Sequence, residues 1–454
     1  MTAIEIIKIL HTNKFEVYFV GGCVRDMILG LKSKDYDIVT NATPDEISSI
    51  FKNYKCSIKE VGKSFGVLLI NDIEVATYRT DEYNGLDDKS VQINFTPSLQ
   101  EDLARRDLTI NSIAYDPIKD KIIDYHNGRE DLEKKIIRFI GDPHKRIFED
   151  PNRIIRACRF KAKIDGEFES ETFKALKEYS STIESHVNPE RIRLEILKAM
   201  EIKKASIFFE SLHSIGGLEH IFPSMTSCYN HPHGPHHVED IFTHLMLSGD
   251  SAPIKNKLVK LSAYLHDVGK PLVCKINPRT NDYFFLDHAH IGAKQLKEEL
   301  LKLTFSSKEI NFITGLTDLH MRVMPPDELT QKCIRRILRI LNERSLHYKD
   351  LLRVNFCDTS GRYNLDKKKR FYKTKKLNRM FKIEVNRPNQ VGCFNDLELD
   401  GNDIQEILNI KPSKIIGEIL NYLMDQVLEN PELNNKEDLT KIIKEFYEEK
   451  SNVN

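Results

Sequence analysis

Gly21 and Gly22 follow the apolar stretch Phe15–Val20 and precede Cys23-Val24-Arg25-Asp26, with Leu29-Gly30 and Asp35-Tyr36-Asp37 further on. A double glycine between a strand and a helix lets the backbone approach a phosphate closely, and the N–H groups at the helix start then face the anion. Arg25 adds a permanent charge whose fork matches phosphate oxygens. Asp35 and Asp37 are two apart on an expected strand, so both carboxylates should leave one face. Carboxylates so placed suit Mg2+, and two such ions can activate an attacking hydroxyl and stabilise a departing pyrophosphate. Singly, a glycine pair or an Asp-x-Asp reads as a turn and a solvated acidic loop; together, in this order and around Arg25, they favour the chemistry. Glu74, on a neighbouring strand candidate, is either a third metal carboxylate or an edge charge that blunts aggregation.

Three further groups carry chemistry. In Glu149-Asp150-Pro151-Asn152-Arg153, continuing to Arg156 and Arg159, the arginines recur every third residue and form a stripe on one helix face. Asp accepts from an exocyclic amino group and Arg donates to ring nitrogens and carbonyls, so the pair can imitate a Watson–Crick edge for cytosine or adenine. The plainer alternative is an exposed, ion-paired stripe with Asp150 as an N-cap. His231, His233, His236, His237, Asp240, His244, His266-Asp267, His288, His290 and His320 form a second set. Adjacent His and Asp with distant His partners make a mixed site suited to Mn, Fe, Ni or Mg; the alternative is a helical scaffold with ordinary histidines. The run Lys367 to Lys382, with Phe371, Tyr372 and Phe381 interleaved, has the charge for phosphates and rings for bases, or is a solvated basic helix.

These groups need positioning. Strands are expected at Phe15–Val20, Tyr36–Val39, Gly66–Ile70, Ile73–Arg79, Ser112–Tyr115 and Ile122–Tyr125, with Asn71-Asp72 as a hairpin turn. After Gly141-Asp142-Pro143 nearly every segment has helical spacing. At 454 residues, 40% hydrophobic and 30% charged with zero net charge, the chain reads as several packed globular units. Eight scattered cysteines without a CxxC pair argue against a disulfide framework or a cysteine zinc site, and for a reducing cytoplasm. Met1 to His11 reads as an amphipathic helix rather than a leader, and no stretch is apolar enough for a membrane.

The GG-x-VRD, LxG, DxD series resembles the DNA polymerase β-type nucleotidyltransferases, specifically the bacterial branch of CCA-adding enzymes and poly(A) polymerases. Glu101 to Asn111 resembles that branch's DLxRRDFTIN motif with Leu108 in place of Phe, Glu149 to Arg153 matches its EDxxR motif, and Leu397 to Ile404 resembles its tail segment. The resemblance implies an α+β fold: a polymerase β-like head with a small mixed sheet (1–140) and an extended all-α body. The body divides into a neck for base recognition and RNA binding (141–205), an HD-like part (206–345) and a tRNA-binding tail (346–454). It implies template-independent CCA addition to tRNA from CTP and ATP, with poly(A) or A-only addition from the same site as the alternative and HD phosphohydrolase activity as a further one.

In that reading Asp35 and Asp37 are catalytic and hold Mg2+, with Glu74 as the third candidate ligand. Gly21, Gly22, Arg25, Arg106, Asp150, Arg153, Arg156 and Arg159 bind the nucleotide. His244, His266 and Asp267 match the HD positions and imply a second, transition-metal site, although His320-Met321 stands where relatives often have His-Asp. The loop Thr80 to Asp88 goes with addition of the terminal A, whereas Asp88-Lys89-Ser90-Val91 departs from the family's Arg-x-Pro-acid stretch. The expected partners are tRNA, CTP and ATP, with no membrane and no obligatory protein partner.

Overall fold

A computed structural model describes residues 1–33, 35–83, 91–234, 238–362, 366–387 and 394–451 of the chain. Two units pack separately, Met1–Pro223 and Ser224–Asn454.

In the first unit, Thr2 and Glu5 close a reciprocal capping box that starts helix α1 (Ala3–Thr12), whose Ile6, Ile7 and Leu10 are buried at helical spacing. The strands are β1 (Val17–Val20), β2 (Asp37–Thr40), β3 (Ile58–Gly62), β4 (Val67–Ile70), β5 (Ile73–Thr77), β6 (Arg79–Tyr83), β7 (Val91–Phe95), β8 (Ile113–Asp116) and β9 (Lys121–Asp124). Seven of them form one mixed sheet in the order β3-β4-β5-β2-β1-β8-β9, while β6 pairs with β7 alone. Only β2 and β5 run parallel among the neighbours in that sheet. Asn71 and Asp72 turn β4 into β5 with φ of 48° and 63°, the left-handed pair a two-residue hairpin turn needs.

Alternation sorts the sheet's two faces. Ile38, Leu68 and Val75 pack with α1 and with Ile47 and Phe51 of α3 (Pro44–Phe51). Val20, Val39 and Tyr78 pack instead with Leu99 and Leu103 of α4 (Leu99–Ala104). Asp37 is two residues before Val39 and therefore shares the second face. One expectation needs correction here: β2 begins at Asp37, so Asp35 precedes the strand. The ladder partner of Asp37 is Val20, after which the chain turns at Gly21 into α2 (Gly22–Ile28), leaving β1 nothing to pair with residue 35. The expected strand to Arg79 also breaks in two, at the fully buried Tyr78 between β5 and β6.

From Pro143 onward helices dominate, with short two-stranded pairings joining Ile136–Ile137 to Glu167–Phe168 and Lys275–Ile276 to Tyr283–Phe284. Helix α5 (Gly128–Glu133) is followed by α6 (Pro143–Glu149), capped by Asp142, and by α7 (Asn152–Ile164). In the second unit, one core gathers Leu316, Ile337, Leu351, Leu377 and Phe381, and another gathers Ile404, Ile419, Leu423, Val427 and Leu439 near the end of the chain. The basic run is the helix Lys367–Val385. Its aromatics divide: Phe381 is buried and stacks on Tyr348, whereas Phe371 and Tyr372 are 67% and 72% exposed among the lysines. No described helix is long and apolar enough to cross a membrane.

Candidate active site

Where β1 ends, Gly21 adopts φ 68° and ψ −125°, a conformation closed to L side chains at low cost. Space is tight as well. A Cβ at Gly21 would lie 3.1 Å from Arg106 Nη1 and 3.9 Å from Asp37 Oδ2. The glycine turn, the first carboxylate and the arginine of the Arg105-Arg106-Asp107 run therefore meet at one point.

The parallel register of β2 and β5 sets Asp37 opposite Glu74, on the face shared with Val39 and Ala76. Strands lie ~4.8 Å apart, so the two carboxylates are side by side. Burial raises the pKa of Asp37, with Arg106 and Arg25 pulling it down and Asp35 pushing it up. Burial also raises that of Glu74, and the charge of Asp37 adds to the rise. Carboxylates that resist ionising beside one another are relieved by a cation, which fits a hard divalent ion with oxygen ligands. Asp35, exposed on the approach to β2, stands close enough to be felt by Asp37.

Around this pair the arginines are held by named partners. Arg106 reaches Asp102 Oδ2 at 3.4 Å, and its buried Nε has no hydrogen-bond partner among the described residues. Arg25 is buried, donating to Asn111 Oδ1 at 2.7 Å and to Asp26 Oδ1 at 2.8 Å, with Phe160 beneath its guanidinium.

The base-reading segment runs from α6 into α7. Asp150 closes α6, and its carboxylate accepts from Asn152 N at 3.1 Å. Arg191 grips that carboxylate with both terminal nitrogens, at 3.1 and 2.8 Å. Arg153, 5% exposed, donates to Glu149 Oε2 at 2.7 Å, to the Arg146 carbonyl at 2.8 Å and to the Tyr83 hydroxyl at 3.3 Å. Arg156 pairs with Asp107 at 2.7 Å, and Arg159 pairs with Glu195. Burial works against ionising Asp107, but Arg156 and the Asn111 amide hold its pKa well below the usual range. The alternative of an exposed, ion-paired stripe is corrected in its exposure alone: the arginines are buried or half-buried and ion-paired with Glu149, Asp107 and Glu195, and Arg25, Arg156 and Arg159 all stack around Phe160. Arg191, Glu195 and Tyr83 escaped the sequence reading because each is distant in the chain and ordinary in its local context. Asp107 and Asn111 lay inside a motif already singled out.

In the second unit the histidine set largely converges. His244, His266 and Asp267 come together, joined by His233, His288, His320 and by Asp358. Asp358 was invisible in the sequence, being a lone acid far downstream. His290 is instead exposed and pairs with Asp318 at 3.3 Å. His236, His237 and most of the loop Thr80 to Asp88 lie outside the described residues.

Residues 17–138 match the family described as Poly A polymerase head domain, and residues 167–229 match the one described as Probable RNA and SrmB- binding site of polymerase A. The multifunctional CCA protein of Haemophilus influenzae is 32% identical over 374 residues, covering 78% of this chain and 86% of the relative. The CCA-adding enzyme of Bacillus pumilus is 40% identical over 204 residues (44% of this chain), and poly(A) polymerase I of Haemophilus influenzae 32% over 240 (50% of this chain). Those alignments span about half of each relative's length, 49% and 52%. Among solved structures, the Bacillus stearothermophilus CCA-adding enzyme in complex with CTP superposes with a TM-score of 0.68 at 23% identity, over 100% of this chain and 98% of that one. The fold is thus a polymerase β-like head with a mixed sheet and a helical body. The chain belongs to the nucleotidyltransferase family that contains the bacterial CCA-adding enzymes and poly(A) polymerases.

Proposed function

We propose that this chain adds C, C and A to the 3′ end of tRNA from CTP and ATP without a nucleic-acid template, releasing pyrophosphate in the cytoplasm. The observation that carries the reading is the β2–β5 register, which places Asp37 against Glu74 beside Gly21 and Arg106. Asp35, Asp37 and Glu74 would hold Mg2+, which when bound activates the tRNA hydroxyl and steadies the charge of the leaving pyrophosphate. The chain's own groups do the positioning. The backbone at Gly21 and Gly22 and the Arg106 guanidinium receive the triphosphate, with Arg25 contributing positive potential from its clamp on Asn111. Asp150 accepts the amino group of cytosine or adenine, and Arg153 donates to the adjacent ring nitrogen; guanine and uracil present the wrong pattern. Arg156 and Arg159 line the same helix and face the nucleotide. The head (1–140) and the neck (141–205) are proposed on the same footing, whereas the HD-like part expected at 206–345 is extended into the tail (346–454), because Asp358 on the helix Tyr348–Ser360 joins its cluster.

Poly(A) addition is the second reading, since poly(A) polymerase I aligns with this chain. CCA addition is favoured because the multifunctional CCA protein aligns over 86% of its length and the poly(A) polymerase over 52%. Incubation with tRNA ending at its discriminator base, supplying CTP and ATP separately and together, separates the outcomes. Two added residues with CTP and three with both support CCA addition. A long ladder with ATP alone would replace it by poly(A) addition.

A further inference from the structure

A nucleotide has a set reach from base to phosphates, so a site that reads one end and holds the other must keep both holders in one frame. We propose that Arg146 is the positioning residue that supplies this frame. It joins the arginine that reads the base, Arg153, to the arginine that receives the triphosphate, Arg106, and so rests on the function proposed above.

Arg146 lies on α6 with its side chain 17% exposed, and each nitrogen of its guanidinium donates to a different place. Nη2 donates to the carbonyl of Ala104, the last residue of α4. Carbonyls at a helix C-terminus lack intrahelical donors and carry the negative end of the dipole, which suits a fixed cation. Nε donates to the Ile140 carbonyl at 3.0 Å, and the Ile140 N–H donates in turn to the Asp107 carbonyl at 3.1 Å. Arg146 thereby clasps the Arg105-Arg106-Asp107 run from both ends. Its third nitrogen, Nη1, donates to Glu149 Oε2 at 3.0 Å.

The base-reading side hangs from the same residue. Glu149 Oε2 also accepts from Arg153 Nη1 at 2.7 Å, and that nitrogen donates to the Arg146 carbonyl at 2.8 Å. Both hydrogens of Arg153 Nη1 are therefore spent, one on Arg146 itself and one on the oxygen that Arg146 holds. A planar guanidinium held by two acceptors at one nitrogen keeps its plane. With Nη2 giving one hydrogen to the Tyr83 hydroxyl at 3.3 Å, Nε and the other Nη2 hydrogen are what Arg153 offers a base. Lysine could not replace Arg146 here, because a single ammonium cannot reach the end of α4, Ile140 and Glu149 in three directions.

The test measures discrimination, the ratio of kcat/KM for CTP to that for UTP in adding the first residue to tRNA ending at its discriminator base. Arg146→Leu should lower both discrimination and kcat by about tenfold through misplacement of groups it does not itself replace. Its tRNA affinity should be unchanged in filter binding. Because Arg146 acts on base choice through Arg153, adding Arg146→Leu to Arg153→Ala should lower discrimination no further than Arg153→Ala alone. Circular dichroism checks folding, and if Arg146→Leu does not fold, Arg146→Lys is measured in its place by the same ratios. A folded Arg146 variant with the parent's discrimination, or a double variant in which the two losses multiply, overturns the proposal. Parental discrimination in Arg153→Ala would instead overturn the base-reading assignment on which it rests, so the two failures are told apart.

Discussion

Asp37 and Glu74 are carboxyls whose pKa values burial raises on folding. An acid raised on folding contributes stability below its unfolded value, and that contribution is lost as pH rises through the folded one. At neutral pH the ionised pair is therefore a cost that a bound cation offsets. In chelator at pH 7.5, Asp37→Asn should melt on the order of 2 °C above the parent. It should also lose the Mg2+-induced rise in Tm that the parent shows. The parent's own Mg2+ response should shrink as pH falls through the raised pKa values. Differential scanning calorimetry checks both, and a destabilised Asp37→Asn that keeps its Mg2+ response would contradict the assignment. The Arg191 grip on Asp150 gives a second residue-scale expectation, since a bidentate pair fixes which way the carboxylate oxygens face. Arg191→Leu should relax base choice about tenfold by releasing the bidentate hold on Asp150, and Arg153→Ala should do so about tenfold by removing the proposed donor to the base. Incorporation of all four nucleotides, compared with tRNA affinity, distinguishes this from loss of RNA binding.

Among the elements, α7 was legible as an arginine-bearing helix, and the Asp150 to Arg153 spacing was read directly from its start. What surrounds it was not. Glu195 lies on the helix Pro189–Ala199, 36 residues from Arg159, and nothing in its neighbourhood announces a buried acid. Its burial is created by packing, which no local pattern encodes. Glu195→Ala leaves Arg159 without its carboxylate in a mostly dry setting and should cost on the order of 3 kcal/mol. Glu190→Ala, at an exposed position on the same helix, should cost ~0.5 kcal/mol or less. The shift in urea unfolding midpoint reads the difference, and equal effects would show that the buried pairing carries no special weight. The sheet shows the same division. Alternation identified β1, β2, β4, β5, β8 and β9 to within a residue or two, and the Asn71-Asp72 turn was named by its residues. The mostly polar β3 and β6 lack that signal, whereas β7 (Val91–Phe95) alternates apolar and polar residues and was not singled out; Asp35 fell off its expected strand because β1 ends in a glycine turn.

At the scale of the whole molecule, zero net charge leaves no general attraction for nucleic acid, so affinity must come from local faces. The helix Lys367–Val385 presents lysines beside the exposed Phe371 and Tyr372. Replacing Lys368, Lys369 and Lys373 by Glu should weaken tRNA binding and lower the slope of log affinity against log salt by about 2 to 3. The rate at saturating tRNA should be unchanged. Filter binding across a salt series would count against this surface if the slope stayed fixed. The second unit illustrates why a motif read one residue at a time understates a site: His244, His266 and Asp267 were recognisable, but Asp358 becomes a neighbour only when the helix Tyr348–Ser360 packs beside them.

The most direct measurement is single-turnover extension of tRNA that lacks its three terminal residues, with CTP, ATP and Mg2+, by the parent and by Asp37→Ala. The parent should add three residues, and the variant should be slower by on the order of a thousandfold while binding tRNA with unchanged affinity. Extension by Asp37→Ala at the parent's rate, or none by the parent, would contradict the placement of nucleotidyl transfer at the Asp37–Glu74 pair.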